Sequence, residues 1–367
     1  MMVVFRVDAS ILIGTGHVMR CLALANYLQS LDYHCLFICR AHKGHLGALI
    51  LSEGHQLRLL DGNEGSISEE VSQRLSSHSD WLGVNWSVDA DQSLRIIKGL
   101  CPDWMVIDHY TIDVEWEKKI KPFVKNLLVI DDLADRKHDC DVLLDQTFGR
   151  QKEDYSEIVP NYCTLLCGAQ YSLLRKEFSR WRSASLKHRE TPSLNNILVN
   201  LGGVDKDDYT SRILQSLSFC DLPENCIITI VMGANAPCIS SVKDVANRMP
   251  WKTHVKVGVE NMAEIMSKTD LAIGASGSTT WERCCLGVPT IQMVIAENQL
   301  FLNESLVKAG VIKSLPKLDQ LPVLINTALD WMSSISTQCS LITDGLGVER
   351  AAETLSVPKS KTGNLRL

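Results

Sequence analysis

Three glycine-bearing turns carry residues whose types and spacing suit chemistry. The first runs Asp8-Ala9-Ser10-Ile11-Leu12-Ile13-Gly14-Thr15-Gly16-His17 and leads directly into a helical pattern. Gly14 and Gly16 permit backbone conformations closed to other residues and let a ligand approach the main chain. The following helix offers unpaired N–H groups and a partial positive end, and His17 sits there. A positive field disfavours imidazolium, which suits His17 as a neutral general base. The alternative is a histidine that merely starts the helix. The turn is not a dinucleotide fingerprint, because Met19 stands where the third glycine belongs. Nor is it a P-loop, since no Gly-Lys-Ser/Thr follows.

The second turn, Gly202-Gly203-Val204-Asp205, lies between a strand pattern and a helical one. The third, Gly274-Ala275-Ser276-Gly277-Ser278-Thr279-Thr280-Trp281-Glu282, has the same placement. Small residues and hydroxyls at a helix N-terminus suit a diphosphate. Glu282 falls one to two turns into that helix, where a carboxylate can accept both hydroxyls of a ribose. Each loop alone reads equally as a tight turn, but three in one chain point to a nucleotide-type ligand. Asp108, His109 and Tyr110 follow an apolar strand, at the end where sites form. Asp131-Asp132 follows the next strand. The pair has the chemistry of a metal ligand, but no further Asp/Glu/His spacing supports one. A structural, capping role is the favoured reading, and neither metal nor cofactor is expected.

The elements that position these turns alternate. Strand patterns at 3–7, 34–39, 56–60, 104–107, 127–130 and 142–144 are separated by helical ones, including 17–30. Short apolar strands between helices imply a parallel sheet covered on both faces. The polar stretch 183–194 reads as a linker. The pattern then restarts with strands at 196–201, 227–232, 253–257, 271–273 and 290–294 and a helix over 207–217. The expected α/β architecture is therefore a pair of Rossmann-like domains, 1–182 and 195–357, with a tail over 358–367. Ligands bind such sheets at strand C-terminal ends, here in the cleft between domains.

With 367 residues the chain fits two domains of about 150 residues each. A net charge of -6 argues against nucleic-acid binding through a basic surface. No apolar run approaches the ~18 residues of a membrane span, and the N-terminus lacks the basic-then-apolar pattern of a signal peptide. Thirteen scattered cysteines, an odd number without a C-x-x-C pair, read as reduced and buried in a cytoplasmic protein. A monomer or weak oligomer acting on a small molecule is expected.

Together these residues resemble a family. Phe5-Arg6-Val7-Asp8-Ala9-Ser10, Gly14 through Cys21, Ile107-Asp108-His109-Tyr110, Cys167 through Phe178 and Gly202-Gly203-Val204-Asp205 are similar to the bacterial PseG hydrolases. These act on UDP-2,4-diacetamido-2,4,6-trideoxy-β-L-altropyranose. The likeness covers roughly residues 3 to 315. The segment Trp81 to Asn85-Trp86, with Asp89-Ala90, is similar to one found in the longer members. The family in turn resembles the glycosyltransferase MurG and implies its GT-B fold. The comparison makes Gly274 to Glu282 the nucleotide-sugar loop, with Glu282 on the ribose. It places Glu297-Asn298-Gln299 near the sugar and diphosphate, and Arg175 joins the substrate-binding set. The region after about Val311 is longer than in compact members and fits a last helix that crosses back to the first domain.

The resemblance implies hydrolysis at C1 with inversion, giving UDP and free 2,4-diacetamido-2,4,6-trideoxy-L-altrose on the route to pseudaminic acid and glycosylated flagellin. His17 is then the base. Amides of Gly202, Gly203, Ser276, Gly277 and Ser278 stabilise the leaving diphosphate, and Asp108, His109 and Tyr110 position the water or the acetamido groups. Two rival readings are a UDP-sugar-dependent glycosyltransferase and a non-catalytic nucleotide-sugar binder.

Overall fold

The computed structural model describes residues 1–62 and 79–356. The chain opens with β1 (Met2–Val7), α1 (Gly16–Gln29), β2 (His34–Arg40), α2 (Gly47–Ser52) and β3 (Gln56–Leu60). It continues with α3 (Trp86–Ile97), β4 (Trp104–Asp108), α4 (Val114–Ile120), β5 (Asn126–Ile130), β6 (Val142–Asp145) and β7 (Thr164–Cys167). These strands form a 7-stranded parallel sheet in the order β3-β2-β1-β4-β5-β6-β7. The central strands are buried on both faces, which is why they read as unbroken apolar runs rather than alternating ones. Val3, Phe5 and Val7 pack under α1, while Val4, Ile107 and Val129 pack under α3 and α4.

The helix α5 (Lys176–His188) leads to a second sheet. Its elements are β8 (Asn196–Asn200), α6 (Tyr209–Leu217), β9 (Ile227–Met232), α7 (Ile239–Ala246), β10 (Lys252–Val257), α8 (Met262–Ser267), β11 (Leu271–Ala275), α9 (Thr279–Cys285), β12 (Thr290–Met293), α10 (Leu300–Lys308) and β13 (Lys313–Ser314). This 6-stranded sheet has the order β10-β9-β8-β11-β12-β13 and is also parallel. The chain closes with α11 (Leu321–Asn326), α12 (Ala328–Ser340) and α13 (Gly347–Ser356).

Two segments cross between the sheets. Phe178 of α5 packs with Ala263 and Met266 of α8, so this helix belongs to the second core. Val348, Ala351 and Leu355 of α13 return to the first core beside α1, and the Trp104 indole donates to the Leu355 carbonyl at 3.0 Å. The expectation of a linker over 183–194 is corrected for its first half, because α5 runs to His188. The polar residues there are the solvent face of an amphipathic helix, while Ser185 is buried and bonds the Leu286 carbonyl. The short strands β7 and β13 were not expected. Four and two residues are too few for a period to declare itself. The tail expected over 358–367 lies outside the described residues. Among the described residues no helix is long and apolar enough to cross a membrane.

Candidate active site

In both sheets the loops at the strand C-terminal ends turn toward one cleft, bordered by Gly16, Met19, Arg20, Gln146, Arg175 and Glu282. Between β1 and α1 the chain folds on itself. Ser10 Oγ accepts from the amides of Leu12 and Ile13, and Gly14 takes φ +83°, which favours glycine. Thr15, at the helix entrance, makes no side-chain bond to the helix, so no side chain caps the first turn of α1.

His17 stands at this entrance, 8% exposed, with Nδ1 2.6 Å from Asp108 Oδ1 at the end of β4. Arg20, one turn further on, donates through Nε and Nη2 to the two oxygens of Asp108, each at 2.6 Å. Its third nitrogen reaches Asp132 at 2.9 Å. Burial alone would raise the Asp108 carboxyl, but the charges of Arg20 and His17 and their hydrogen bonds hold it well below the usual range. A permanent carboxylate at 2.6 Å fixes the proton of neutral His17 on Nδ1 and leaves Nε2 with the free lone pair. Tyr110 packs edge-on against the His17 ring with centroids 4.7 Å apart, and Trp81 stacks on Tyr110 at 5.4 Å.

Two expected substrate contacts in this cluster are corrected. Asp108 is fully buried and occupied by Arg20 and His17, so it holds the His17 ring in place and has no oxygen left for a sugar. His109 leaves β4 on the opposite side. Its Nδ1 accepts from the Thr111 amide at 3.1 Å, which puts the ring proton on Nε2, 3.4 Å from Asp8. Asp8 in turn pairs with Arg6 at 2.7 Å, beside Asp89 and Arg40, inside the domain. Tyr110 is buried as well, but Asn298 Nδ2 lies 3.5 Å from its hydroxyl, so it joins the two sheets' loops.

On the facing sheet, Gly202 adopts φ +95° and Gly203 lies against Thr15, where an added Cβ would sit 2.5 Å from Oγ1. The expected anion site at the helix after this turn is corrected. Asp205 accepts from the amides of Tyr209 and Thr210, and Asp208 from Ser211, so acidic side chains already occupy the first turn of α6. Ser276 is corrected too, being 2% exposed, with its amide donating to the Met293 carbonyl at 3.0 Å and its hydroxyl to Asn303. Ser278 faces the first domain, its Oγ 3.1 Å from where a Gly16 Cβ would be, and Gly277 is half-exposed beside it.

Glu282 borders the cleft with 18% of its side chain exposed, and Arg175 stands 4.0 Å away. Burial pushes the Glu282 carboxyl up to about 7, against the opposing pull of Arg175. Arg175 also pairs with Glu177 at 2.9 Å. Glu297 to Gln299 form a single 3₁₀ turn, in which Gln299 Oε1 accepts from the Ile295 amide. Asp131 and Asp132 diverge. Asp131 is held by Arg136 at 2.8 Å, Tyr155 at 3.0 Å and the Ala134 amide at 2.9 Å. Among the described residues, no group of three His, Cys, Asp or Glu is arranged to hold a metal. Sequence reasoning gave no role to Arg20 or to Trp81. The spacing from His17 to Arg20 does place both on one helix face, the signal available for the first.

Two doubly wound parallel sheets facing a shared cleft, with a last helix returning to the first sheet, define the GT-B class, and the chain has that fold. It matches the crystal structure of Acinetobacter baumannii MurG with a TM-score of 0.66 at 16% identity, over 96% of this chain and 99% of that one. At the level of sequence the chain is similar to the UDP-2,4-diacetamido-2,4,6-trideoxy-β-L-altropyranose hydrolase of Campylobacter jejuni, 26% identical over 84% of this chain and 97% of the relative. It is also 25% identical to the uncharacterized protein MJ1062 of Methanocaldococcus jannaschii over 80% of its own length, but spans only 55% of that longer protein. No family model matches. The family resemblance carried by the motifs is thus supported by a relative of nearly the same extent.

Proposed function

We propose that the chain is a UDP-sugar-processing enzyme, and specifically a hydrolase that releases UDP and free 2,4-diacetamido-2,4,6-trideoxy-L-altrose from the UDP-linked β-L-altropyranose, in the cytoplasm and on the route to pseudaminic acid. The observation that carries this reading is the His17–Asp108 pair at 2.6 Å, clamped by Arg20 at the edge of the cleft. A base held in one tautomer beside a cleft lined by both sheets' loops is what activation of water needs, and such a base contributes roughly 10²–10⁴-fold.

In the proposed step, His17 Nε2 takes a proton from water as the oxygen bonds to C1. The bond from C1 to the β-phosphate oxygen breaks with inversion, and its electron pair leaves on UDP. The first amides of α1, the Gly202-Gly203 turn, the Gly277 and Ser278 amides and Arg175 meet the charge that develops on the diphosphate. Glu282 accepts the ribose hydroxyls, and Tyr110 with Asn298 bounds the sugar. The similarity to the Campylobacter hydrolase supports water as acceptor. The MurG-like fold supports a second reading, transfer to an acceptor. Incubation with UDP-linked diacetamido sugars, followed by NMR, separates them. Free sugar and UDP formed without any acceptor support the hydrolase, whereas UDP release only when an acceptor is added overturns it.

A further inference from the structure

We propose that Asp132 is a positioning residue for catalysis, holding the free edge of the Arg20 guanidinium and the Tyr110 phenol so that both keep their places against Asp108 and His17. The proposal rests on the assignment of His17 as base. The two acids after β5 look alike in sequence, but they do different work. Asp131 is spent locally on Arg136, Tyr155 and the Ala134 amide. Asp132 turns the other way, and its Oδ2 takes Arg20 Nη1 at 2.9 Å.

Arg20 is thereby bound on both edges. Nε and Nη2 grip Asp108, and Nη1 grips Asp132. A planar guanidinium held on two sides cannot pivot, whereas one held by a single carboxylate retains that freedom. Arg20 Nη2 also passes 3.2 Å from His17 Nδ1, so a pivot would bring it into competition for the contact that sets the His17 tautomer. The second contact of Asp132 is Tyr110. Burial and the neighbouring Asp132 charge both raise the phenol well above its ordinary range, which keeps it a neutral hydrogen-bond donor packed on His17.

Charge balance gives Asp132 a part in the proton transfer itself. The charged groups facing His17 are Asp108 from β4 and Arg20 from its own helix, with Asp132 behind Arg20. Tyr110 and the Cys21 thiol, which donates to Asp108, are held neutral, since burial raises both. Beyond Asp132, Asp131 pairs with Arg136, and Asp145 meets Arg150 while burial and the Asp132 charge push its carboxyl up to about 7. Two carboxylates and one guanidinium carry a net charge of about -1 beside a neutral imidazole, so taking the proton brings the group to neutrality. With Asp132 uncharged, the same step would create a net positive charge in a buried site.

The test compares wild type, Asp132→Asn and Asp132→Glu. His17 is followed by NMR titration in histidine-labelled protein, which needs no substrate, alongside the pH profiles of kcat and KM and UDP affinity by calorimetry. The expected result for Asp132→Asn is a His17 titration and an acid limb of kcat both moved to lower pH. The kcat is expected to be about tenfold lower or worse, with KM and UDP affinity within about twofold of wild type. Asp132→Glu restores most of the rate and returns the titration toward wild type. An unmoved His17 titration in folded Asp132→Asn overturns the proposal. So does a fall in UDP affinity that parallels the fall in kcat. If Asp132→Asn does not fold, the same titration is read in Asp132→Glu, and a disordered His17 environment there overturns the proposal. Failure of wild type to release UDP without an acceptor would instead strike the hydrolase assignment and leave the titration to judge Asp132.

Discussion

The His17 imidazole and the Asp108 carboxylate, 91 residues apart in the chain, meet at 2.6 Å where the start of α1 stands over the end of β4, the sheet neighbour of β1. The parallel register pairs Val7 with Asp108, so the turn after β1 and the end of β4 open at the same level. This relationship predicts the effect of Asp108→Asn. The amide offers one acceptor oxygen where Arg20 Nε, Arg20 Nη2 and His17 Nδ1 share two carboxylate oxygens, so its N–H₂ must face either Nε or the Nη2 and Nδ1 pair. In either orientation the clamp is broken on one side, and His17 loses the anion that would stabilise the proton it takes. We expect kcat to fall roughly 10²–10⁴-fold, as for His17→Asn, with UDP affinity nearly unchanged in both. Steady-state rates beside UDP calorimetry check this, and a variant retaining most of the wild-type rate would remove the dyad from the mechanism.

Glu282 gives a pH-dependent binding prediction. Its carboxyl is pushed up to about 7, chiefly by burial, so near neutral pH the free enzyme holds it partly protonated. Ribose hydroxyls are better hydrogen-bond donors to the carboxylate than to the acid. Binding therefore favours ionisation, and UDP affinity rises as pH rises through about 7 and weakens below it. Between pH 8 and pH 6 we expect roughly a tenfold loss of affinity in the wild type, and a flat profile in Glu282→Gln. Calorimetry in buffers of differing ionisation enthalpy should also detect proton release. Parallel pH profiles in the two proteins would place the carboxylate outside the ribose site.

Much of this arrangement is legible in the chain because strands buried on both faces write themselves as apolar runs. Val3 to Val7, Ile197 to Asn200 and Leu271 to Ile273 are visible for that reason, and the glycine turns follow directly from them. What the sequence conceals is the direction of side chains at strand ends. Asp108 and His109 are neighbours with similar chemistry, yet pleat alternation sends one to the base and the other to Asp8. Asp89 is hidden for a different reason. It lies on the exposed-looking helix α3, but accepts from Arg6, Arg40 and Trp116 and is fully buried. A buried ion network assembled from four separate elements has no local period to reveal it. The acidic caps of α6 went unseen because Asp205 reads as part of a glycine turn until its backbone partners are known.

The close passage of Gly203 past Thr15 makes a steric prediction. A Cβ at Gly203 would sit 2.5 Å from Thr15 Oγ1 and 3.0 Å from Cγ2, and the branched threonine has no rotamer that clears both. Gly203→Ala must therefore shift the entrance of α1, and His17 with it. A displacement near 1 Å at a base typically costs about 10²-fold, so kcat is expected to fall by that order while the melting temperature moves little. Thr15→Ala in the Gly203→Ala background is the matched control, because it removes both clashing atoms and Thr15 makes no side-chain bond to α1, so the double variant should recover most of the rate. Equal rates for the two variants would show that the contact between the turns does not set the geometry of the base.

The last prediction concerns the acid pair after β5. Asp131 has its oxygens engaged by Arg136, Tyr155 and the Ala134 amide, and Asp132 is paired with Arg20. Carboxylates already neutralised by guanidinium groups are poor ligands for a divalent cation, since binding would first strip each arginine of its partner in a buried site. In the proposed step the diphosphate charge is instead met by backbone amides and Arg175, so activity should survive excess EDTA. Asp131→Asn should leave kcat within about twofold, because its bonds go to Arg136, Tyr155 and the Ala134 amide and none to Arg20, Asp108 or His17. It should still cost stability of about 1–3 kcal/mol, because it leaves Arg136 without its buried charge partner. Thermal melts and initial rates with and without chelator test both halves together. Loss of hydrolysis in EDTA, restored by Mg²⁺ or Mn²⁺ and mimicked by Asp131→Asn, would mean that a metal ion displaces these arginine pairs when substrate binds.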